Sequence, residues 1–332
     1  MNIPPAKRYR LWSDIRLLDE AGAMLREAGE VSGPGFEPRH EDALRGLADA
    51  DAALVGPGFP GTREVFARAP RLKVIARIGT GYDNIDVEAA TALGICVTNT
   101  PDAPTIATAE LTFGLILAVS RNIAVADRRL RATGWVSALE LIGTDLAGKT
   151  LGLIGLGRIG ARVARIAQAV EMTVIAHDPF VSAEAARAKN IRLAPTLAAL
   201  LAESDVVSLH VPLTPETRHL IDPERLALMK KSAILINASR GPVIDESALL
   251  EALRAGRLRG VGLDVWENEP ISREHPLLAL DNVVATPHIA AATAEGRRRS
   301  NVTAATFALM VLRGDRPSGL LNPGVWSQRR MD

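Results

Sequence analysis

Short runs of Val, Ile, Leu and Ala recur along the chain, each followed by a stretch of helical length. Before residue 100 they read "AALVG", "KVIAR" and "ICVTN"; from residue 150 onward they read "TLGLIG", "MTVIAH", "DVVSLH", "AILINA", "GVGLDV" and "NVVAT". Runs this apolar have no polar face to give to water, so they predict strands buried on both sides, as in parallel sheets covered by helices. The pattern predicts an α/β chain, and the second set of runs is long enough for a complete doubly wound nucleotide-binding sheet. Between the two sets, "AELTFGLILAVSRNIAVADRRL" (109–130) reads as one long helix. The stretch "AATAEGRRRSNVTAATFALMVLRG" (291–314) reads as another, stopped by Gly314 with Pro317 beyond it.

One junction departs from the plain alternation. In "KTLGLIGLGRIGARVARIAQA" (149–169), Leu151, Leu153 and Ile154 build a strand, then Ile159, Val163, Ile166 and Val170 fall at helical spacing, with Arg158, Arg162 and Arg165 on other faces. Gly155 suits a tight turn, Gly157 lets a phosphate approach bare backbone, and Gly160 lets helix and strand pack closely. The helix start supplies unpaired N–H groups and partial positive charge, which suit a diphosphate. Asp178 closes the next strand in "MTVIAHDPF", 18 residues past Gly160. A carboxylate there accepts hydrogen bonds from adenosine ribose hydroxyls and repels a 2′-phosphate, so the loop predicts a dinucleotide, NAD rather than NADP.

At 332 residues the chain has room for two ordinary domains. It is 47% apolar and 23% charged with a net charge of +1, which predicts a globular protein and gives no electrostatic case for nucleic acid or an anionic membrane. Arg128-Arg129-Arg131 and Arg297-Arg298-Arg299 read as solvated faces or subunit contacts. The one cysteine, Cys96, reads as a small buried hydrophobe. "MNIPPAKRYRLW" has no apolar stretch of signal-peptide kind, and the run Leu111 to Val119 is too short to span a bilayer, so a cytoplasmic location is expected. His210 and His219 lie nine apart with no acid or cysteine spaced to complete a site, so no metal is expected.

Three of the six histidines, His177, His210 and His288, close strands, and Glu267 is as acidic as Glu269; the residues alone do not choose among them. The motifs taken together do. "ARIGTGYDNIDVEAATALGICVTNTP", "LGLIGLGRIGARVA", "SDVVSLHVPLTPETRHLI", "LINASRGPVIDESALLEAL", "GVGLDVWENEP" and "NVVATPHIAAAT" resemble the D-2-hydroxyacid dehydrogenase family, in its order and spacing from about residue 50 to the last helix. The resemblance implies a flavodoxin-like substrate (catalytic) domain, 1–100 plus 291–332, and an inserted NAD-binding Rossmann domain, 101–290. It implies three catalytic residues: Arg240 of "NASRG", Glu269 of "DVWENEP" and His288 of "TPHIA".

Each suits hydride transfer between a 2-hydroxy acid and nicotinamide. Neutral imidazole serves as base in oxidation and acid in reduction. Glu269 would favour the protonated ring and orient it, and Arg240 offers a fork of donors to a carboxylate. Further coenzyme contacts implied are Thr108, Arg158, Ile159, His210, Val211, Pro212, Thr217, Ala238 and Asp264, the last two near the nicotinamide. "RIGTGYDNID" adds Ile78, Gly79, Thr80 and Gly81, where two glycines let successive N–H groups face one anion, implied to be the substrate carboxylate. Trp135 of "ATGWV" matches a family position on a dimer arm, so a homodimer is expected and that side chain is a candidate to reach the partner's pocket.

Substrate choice turns on residues 56–62, "GPGFPGT", with no cation until Arg63, where phosphoglycerate dehydrogenases of this family carry an arginine for the substrate phosphate. A phosphate without a charged partner would be poorly held, which favours a small unphosphorylated 2-oxo acid such as glyoxylate or hydroxypyruvate, with Phe59 lining an apolar wall. D-3-phosphoglycerate is the alternative substrate, since Arg63 could meet the phosphate from another angle. Formate and phosphite dehydrogenases share the scaffold, and so do NAD(H)-sensing corepressors, which bind partners rather than turn over substrate.

Overall fold

Among the described residues the strands pair only in parallel, in two separate sheets, with one isolated antiparallel bridge between Thr98 and Leu320. The structure, a computed structural model, describes residues 8–33 and 40–331. The chain divides into two compact units: residues up to Pro104 with those from Ala292 onward, and Thr105–Ala291. The first crossing therefore lies at 104/105, slightly beyond the expected 100/101.

The first unit holds β1 (Tyr9–Ser13), β2 (Gly29–Ser32), β3 (Ala52–Val55), β4 (Val74–Arg77) and β5 (Cys96–Thr98) in the order β2-β1-β3-β4-β5. This is the flavodoxin-like order. β3 and β4 are buried along their whole length, as continuous apolar runs require. The apolar pattern does not mark β1 and β2, and their sequences "YRLWS" and "GEVS" show why: β2 is a half-exposed edge, so little of it needs to be apolar. The helix Ala294–Arg313 is capped by Thr293, whose hydroxyl accepts from the Gly296 amide, and ends at Gly314. Its small buried Ala304, Ala305 and Ala308 let it lie close on β3 and β4. Of the basic cluster on this helix, Arg298 pairs with Glu20 and Arg299 donates to the Ala103 carbonyl, both within the unit. Cys96 is fully buried, and burial pushes its thiol up to about 11, as a small core hydrophobe requires.

The second unit holds β6 (Thr150–Ile154), β7 (Thr173–His177), β8 (Arg192–Leu193), β9 (Val206–Leu209), β10 (Ile234–Asn237), β11 (Gly260–Leu263) and β12 (Val283–Ala285), ordered β12-β11-β10-β9-β6-β7-β8. The order reverses between β6 and β9, and their carboxyl ends flank the crevice where such sheets bind ligands. Ile154 is in register with Leu209, so the residues after each strand are neighbours.

The single helix expected over 109–130 is two, Thr105–Ser120 and Ile123–Thr133, bent by 60° at Asn122. Asn122 takes a left-handed conformation (φ 56°), which asparagine tolerates, and its side-chain amide donates to the carbonyls of Leu141 and Ile142. Burial explains the break. The first helix is apolar nearly all round and packs on β10, β11 and the helix Arg158–Ala169, whereas only Val125 is buried in the second. There Arg128 and Arg129 both meet Asp281. No single helix among the described residues is long and apolar enough to cross a membrane.

Candidate active site

Three glycines of the 155–160 loop answer different needs. Gly155 has φ 94°, and a Cβ on it would lie 2.6 Å from the His210 carbonyl oxygen. A Cβ on Gly160 would lie 2.3 Å from the Gly155 carbonyl oxygen, so helix and turn meet only through bare backbone. Nothing lies within 4 Å of a Cβ on Gly157, the N-cap of the helix Arg158–Ala169, so that side of the loop is open.

Asp178 is fixed to the same loop. One carboxylate oxygen accepts from the Leu156 amide (2.8 Å) and the other from Phe180 (2.9 Å), and each retains capacity for a ribose hydroxyl. The bare backbone at Gly157, the helix start beside it and the pinned carboxylate fit a dinucleotide.

Beyond β9, the His210 amide donates to Ile154 and its ring nitrogen Nε2 lies 2.9 Å from the Ser208 hydroxyl. Desolvation pushes the ring down to about 4, so it is neutral near pH 7. Val211 is half-buried and Pro212 exposed; Thr217 closes their turn, its hydroxyl donating to the Pro212 carbonyl at 2.6 Å. Arg158 is exposed, Ile159 packs against the core beneath the loop, and Thr108 is buried in the helix Thr105–Ser120.

At the carboxyl ends of β10, β11 and β12, buried polar side chains fold the loops that carry Arg240, Glu269 and His288. Asn237, fully buried, donates to the Arg240 carbonyl (2.8 Å) and accepts from the Ser239 amide and hydroxyl, which shapes the turn through Ala238. Asp264, also fully buried, accepts from Thr286 (2.6 Å) and from the amides of Ile289 (2.9 Å) and Ala290 (2.8 Å), while its carbonyl takes the His288 amide. These bonds hold His288 at φ 54°, a strained backbone for a non-glycine residue. Asp264 thus spends its carboxylate on the loop of His288. The sequence pattern gives neither Asn237 nor Asp264 an organising role, although a buried polar residue ending an apolar strand must find partners.

Glu269 accepts from the Trp266 amide (3.0 Å) and lies 2.7 Å from His288 Nδ1. Burial alone would raise its carboxyl, but the His288 and Trp266 hydrogen bonds and the charges of His288 and Arg240 outweigh that and hold it below its ordinary range. An ionised carboxylate only accepts, so Nδ1 carries the proton and Nε2 is the nitrogen available for exchange. The geometry separates the two acids: Glu267 instead meets His219 Nε2 at 2.7 Å. Gly241 completes the arrangement, since a Cβ there would lie 1.9 Å from the Trp266 carbonyl.

In the first unit, two expectations change. Ile78 donates its amide to Val55, and Gly79 (φ 124°) donates its amide to the Thr100 hydroxyl (2.8 Å). Gly79 therefore shapes the turn without offering its N–H to an anion; the amides of Thr80 and Gly81 are the ones left to do so. Phe59 lines no ligand wall. It is 1% exposed, packed near Trp12 (centroids 6.1 Å apart), and Asn84 bonds to the Gly56 and Phe59 carbonyls, which turns the loop inward. Among the described residues no group of three or more His, Cys, Asp or Glu is placed to hold a metal ion.

Comparison with known proteins identifies the family of the chain. Residues 113–290 match the family model for the D-isomer specific 2-hydroxyacid dehydrogenase, NAD binding domain. A glyoxylate reductase of Thermofilum pendens is 43% identical over 324 residues, covering 96% of each chain. A D-3-phosphoglycerate dehydrogenase of Methanocaldococcus jannaschii is 46% identical over 307 residues, 92% of this chain but 58% of that protein. This chain thus spans little more than half the length of that relative. The crystal structure of the TT0316 protein from Thermus thermophilus superposes with a TM-score of 0.87 at 41% identity, covering 94% of this chain and 99% of that one. The chain belongs to the D-isomer specific 2-hydroxyacid dehydrogenases, NAD-dependent oxidoreductases that act on the CH–OH group of 2-hydroxy acids.

Proposed function

We propose that this protein reduces a small unphosphorylated 2-oxo acid, glyoxylate or hydroxypyruvate, as a cytoplasmic homodimer. The observation that carries the chemistry is the His288 Nδ1–Glu269 bond of 2.7 Å, with the Arg240 charge acting on the same carboxylate. NAD, when bound at the 155–160 loop, supplies the hydride acceptor or donor. His288 Nε2 takes the hydroxyl proton in oxidation and returns it in reduction, while Glu269 stabilises the ring's protonated form. Arg240 holds the substrate carboxylate through paired N–H groups.

Two observations support the unphosphorylated substrate. The loop 56–62 has no cation, and the Thermofilum pendens relative matched along nearly all of both chains is named glyoxylate reductase. The similarity to a D-3-phosphoglycerate dehydrogenase keeps phosphoglycerate as the second reading.

Initial rates separate the two. NADH oxidation is followed with glyoxylate, hydroxypyruvate, pyruvate and phenylpyruvate, and NAD reduction with 3-phosphoglycerate, formate and phosphite. The highest kcat/KM is expected with glyoxylate or hydroxypyruvate; a preference for 3-phosphoglycerate reverses the assignment, and no turnover of any 2-oxo acid removes it.

A second copy of the chain is the proposed cover for the segment after Asn122. Ile123, Leu130, Leu139 and Ile142 are exposed there and Trp135 is 92% exposed, more apolar surface than one solvated loop needs.

A further inference from the structure

Behind the loop that presents Glu269 lies a second acid. Glu246 is the first residue of the helix Glu246–Arg254, where Asp245 already serves as the cap by accepting from the Ala248 amide. A carboxylate in a first helical turn gains from the helix dipole while still in water, so the helix does not require Glu246 to be buried. Yet its side chain is only 12% exposed. Its partners supply the reason. One oxygen accepts the Glu267 amide at 2.6 Å, and the other lies 3.2 Å from His275 Nε2.

The Glu267 amide is the next link after Trp266, whose own amide donates to Glu269. The Trp266 ring donates to the Thr286 carbonyl and packs edge-on to the His275 ring. The Glu267 carboxylate is drawn toward His219. Residues 266–267 are therefore gripped from behind by Glu246, His275 and His219, and in front Glu269 meets His288.

We propose that Glu246 is a positioning residue for proton transfer: by anchoring the Glu267 amide it sets where the Glu269 carboxylate meets His288 Nδ1. This rests on the reading that Glu269 and His288 do the proton work. Burial, with the neighbouring Glu267 charge, pushes the Glu246 carboxyl above its ordinary range, and the Glu267 amide and His275 oppose that only in part. The geometry gives the reason for keeping a largely covered acid here: both of its oxygens are engaged, one by the Glu267 amide and the other by His275.

The test uses Glu246→Ala, Glu246→Gln and His275→Ala in the full chain. It measures kcat and KM for the 2-oxo acid, NADH affinity by fluorescence titration, and the pH profile of kcat/KM. Glu246→Ala is expected to lower kcat about 10- to 100-fold, the usual effect of a small misplacement at the reacting groups, with NADH affinity changed no more than about twofold. Loosening Glu269 also removes part of what favours the protonated ring, so the His288-dependent limb of the profile moves to lower pH. Glu246→Gln recovers most of the rate, because an amide oxygen still accepts from Glu267. His275→Ala moves the limb in the same direction by less, and serves if Glu246→Ala does not fold.

An unmoved limb in Glu246→Ala, or in His275→Ala where the former is unfolded, overturns the proposal; so does a Glu246→Gln enzyme as slow as Glu246→Ala. If the wild-type limb survives replacement of His288, the fault lies instead with the reading of His288 as the proton carrier.

Discussion

The 155–160 loop and the loops after β10, β11 and β12 lie along the carboxyl ends of one sheet, yet they are held in shape by opposite means. The glycine loop is shaped by missing side chains: Gly155 and Gly160 leave no room for a Cβ, and Gly157 leaves space for a ligand. The loops of Arg240, Glu269 and His288 are shaped by buried polar side chains, Asn237 and Asp264, each satisfied by several donors or acceptors. Under the proposed function the first binds through backbone, which tolerates change in most neighbouring side chains. The second would bind and react through side chains, so its function would depend on hydrogen bonds made well away from the substrate.

This contrast breaks most sharply at His288. His288→Asn keeps a residue suited to the left-handed backbone there and should cut kcat by about 10²- to 10⁴-fold, while NADH affinity, a property of the glycine loop, stays nearly intact. A variant of near wild-type kcat would show that another group carries the proton.

Next in size is Asp264→Ala, which leaves the Ile289 and Ala290 amides without their acceptor and the Thr286 hydroxyl with only the longer bond to the Leu263 carbonyl. It should cost about 3 kcal/mol of stability and lower kcat as well, read by denaturant unfolding beside steady-state rates. Stability lost without any loss of kcat would separate loop folding from catalysis.

On the glycine-loop side, Asp178→Ala should raise kcat/KM with NADPH relative to NADH by about tenfold, through loss of the charge that repels a 2′-phosphate. An unchanged ratio would mean that the carboxylate serves only the Leu156 and Phe180 amides.

The smallest effect concerns His210. Its ring is held down to about 4 in the fold, against an ordinary value of 6.5. Between those values the unfolded chain takes up a proton that the folded protein refuses, so this contribution is present above pH 6.5 and is lost as pH falls toward 4. Across that window the Tm of His210→Asn should fall less steeply than that of wild type, by roughly a few degrees, as followed by calorimetry. Parallel Tm curves would place the ring in water.

The amino-acid sequence by itself determined what depends on local pattern. The fully apolar runs marked β3, β4, β6, β9, β10 and β11, and the glycine spacing with Asp178 marked a dinucleotide loop, because burial on both faces and missing Cβ atoms are written residue by residue.

Tertiary structure alone decided what depends on who lies beside whom. β2 draws little burial from its own residues and exists by pairing with β1, whose Leu11 and Trp12 are buried between polar neighbours that break the apolar run. The helix over 109–130 breaks at Asn122 because its two halves meet different surroundings. Phe59 turns inward because Asn84, far along the chain, holds its loop, and the Gly79 amide is lost to Thr100 for the same kind of reason. Glu267 and Glu269 look alike in sequence and are separated only by the histidine each one faces. Hydrogen bonds between residues distant in sequence leave no periodic trace in the chain, so these choices become visible only when the loops are folded together.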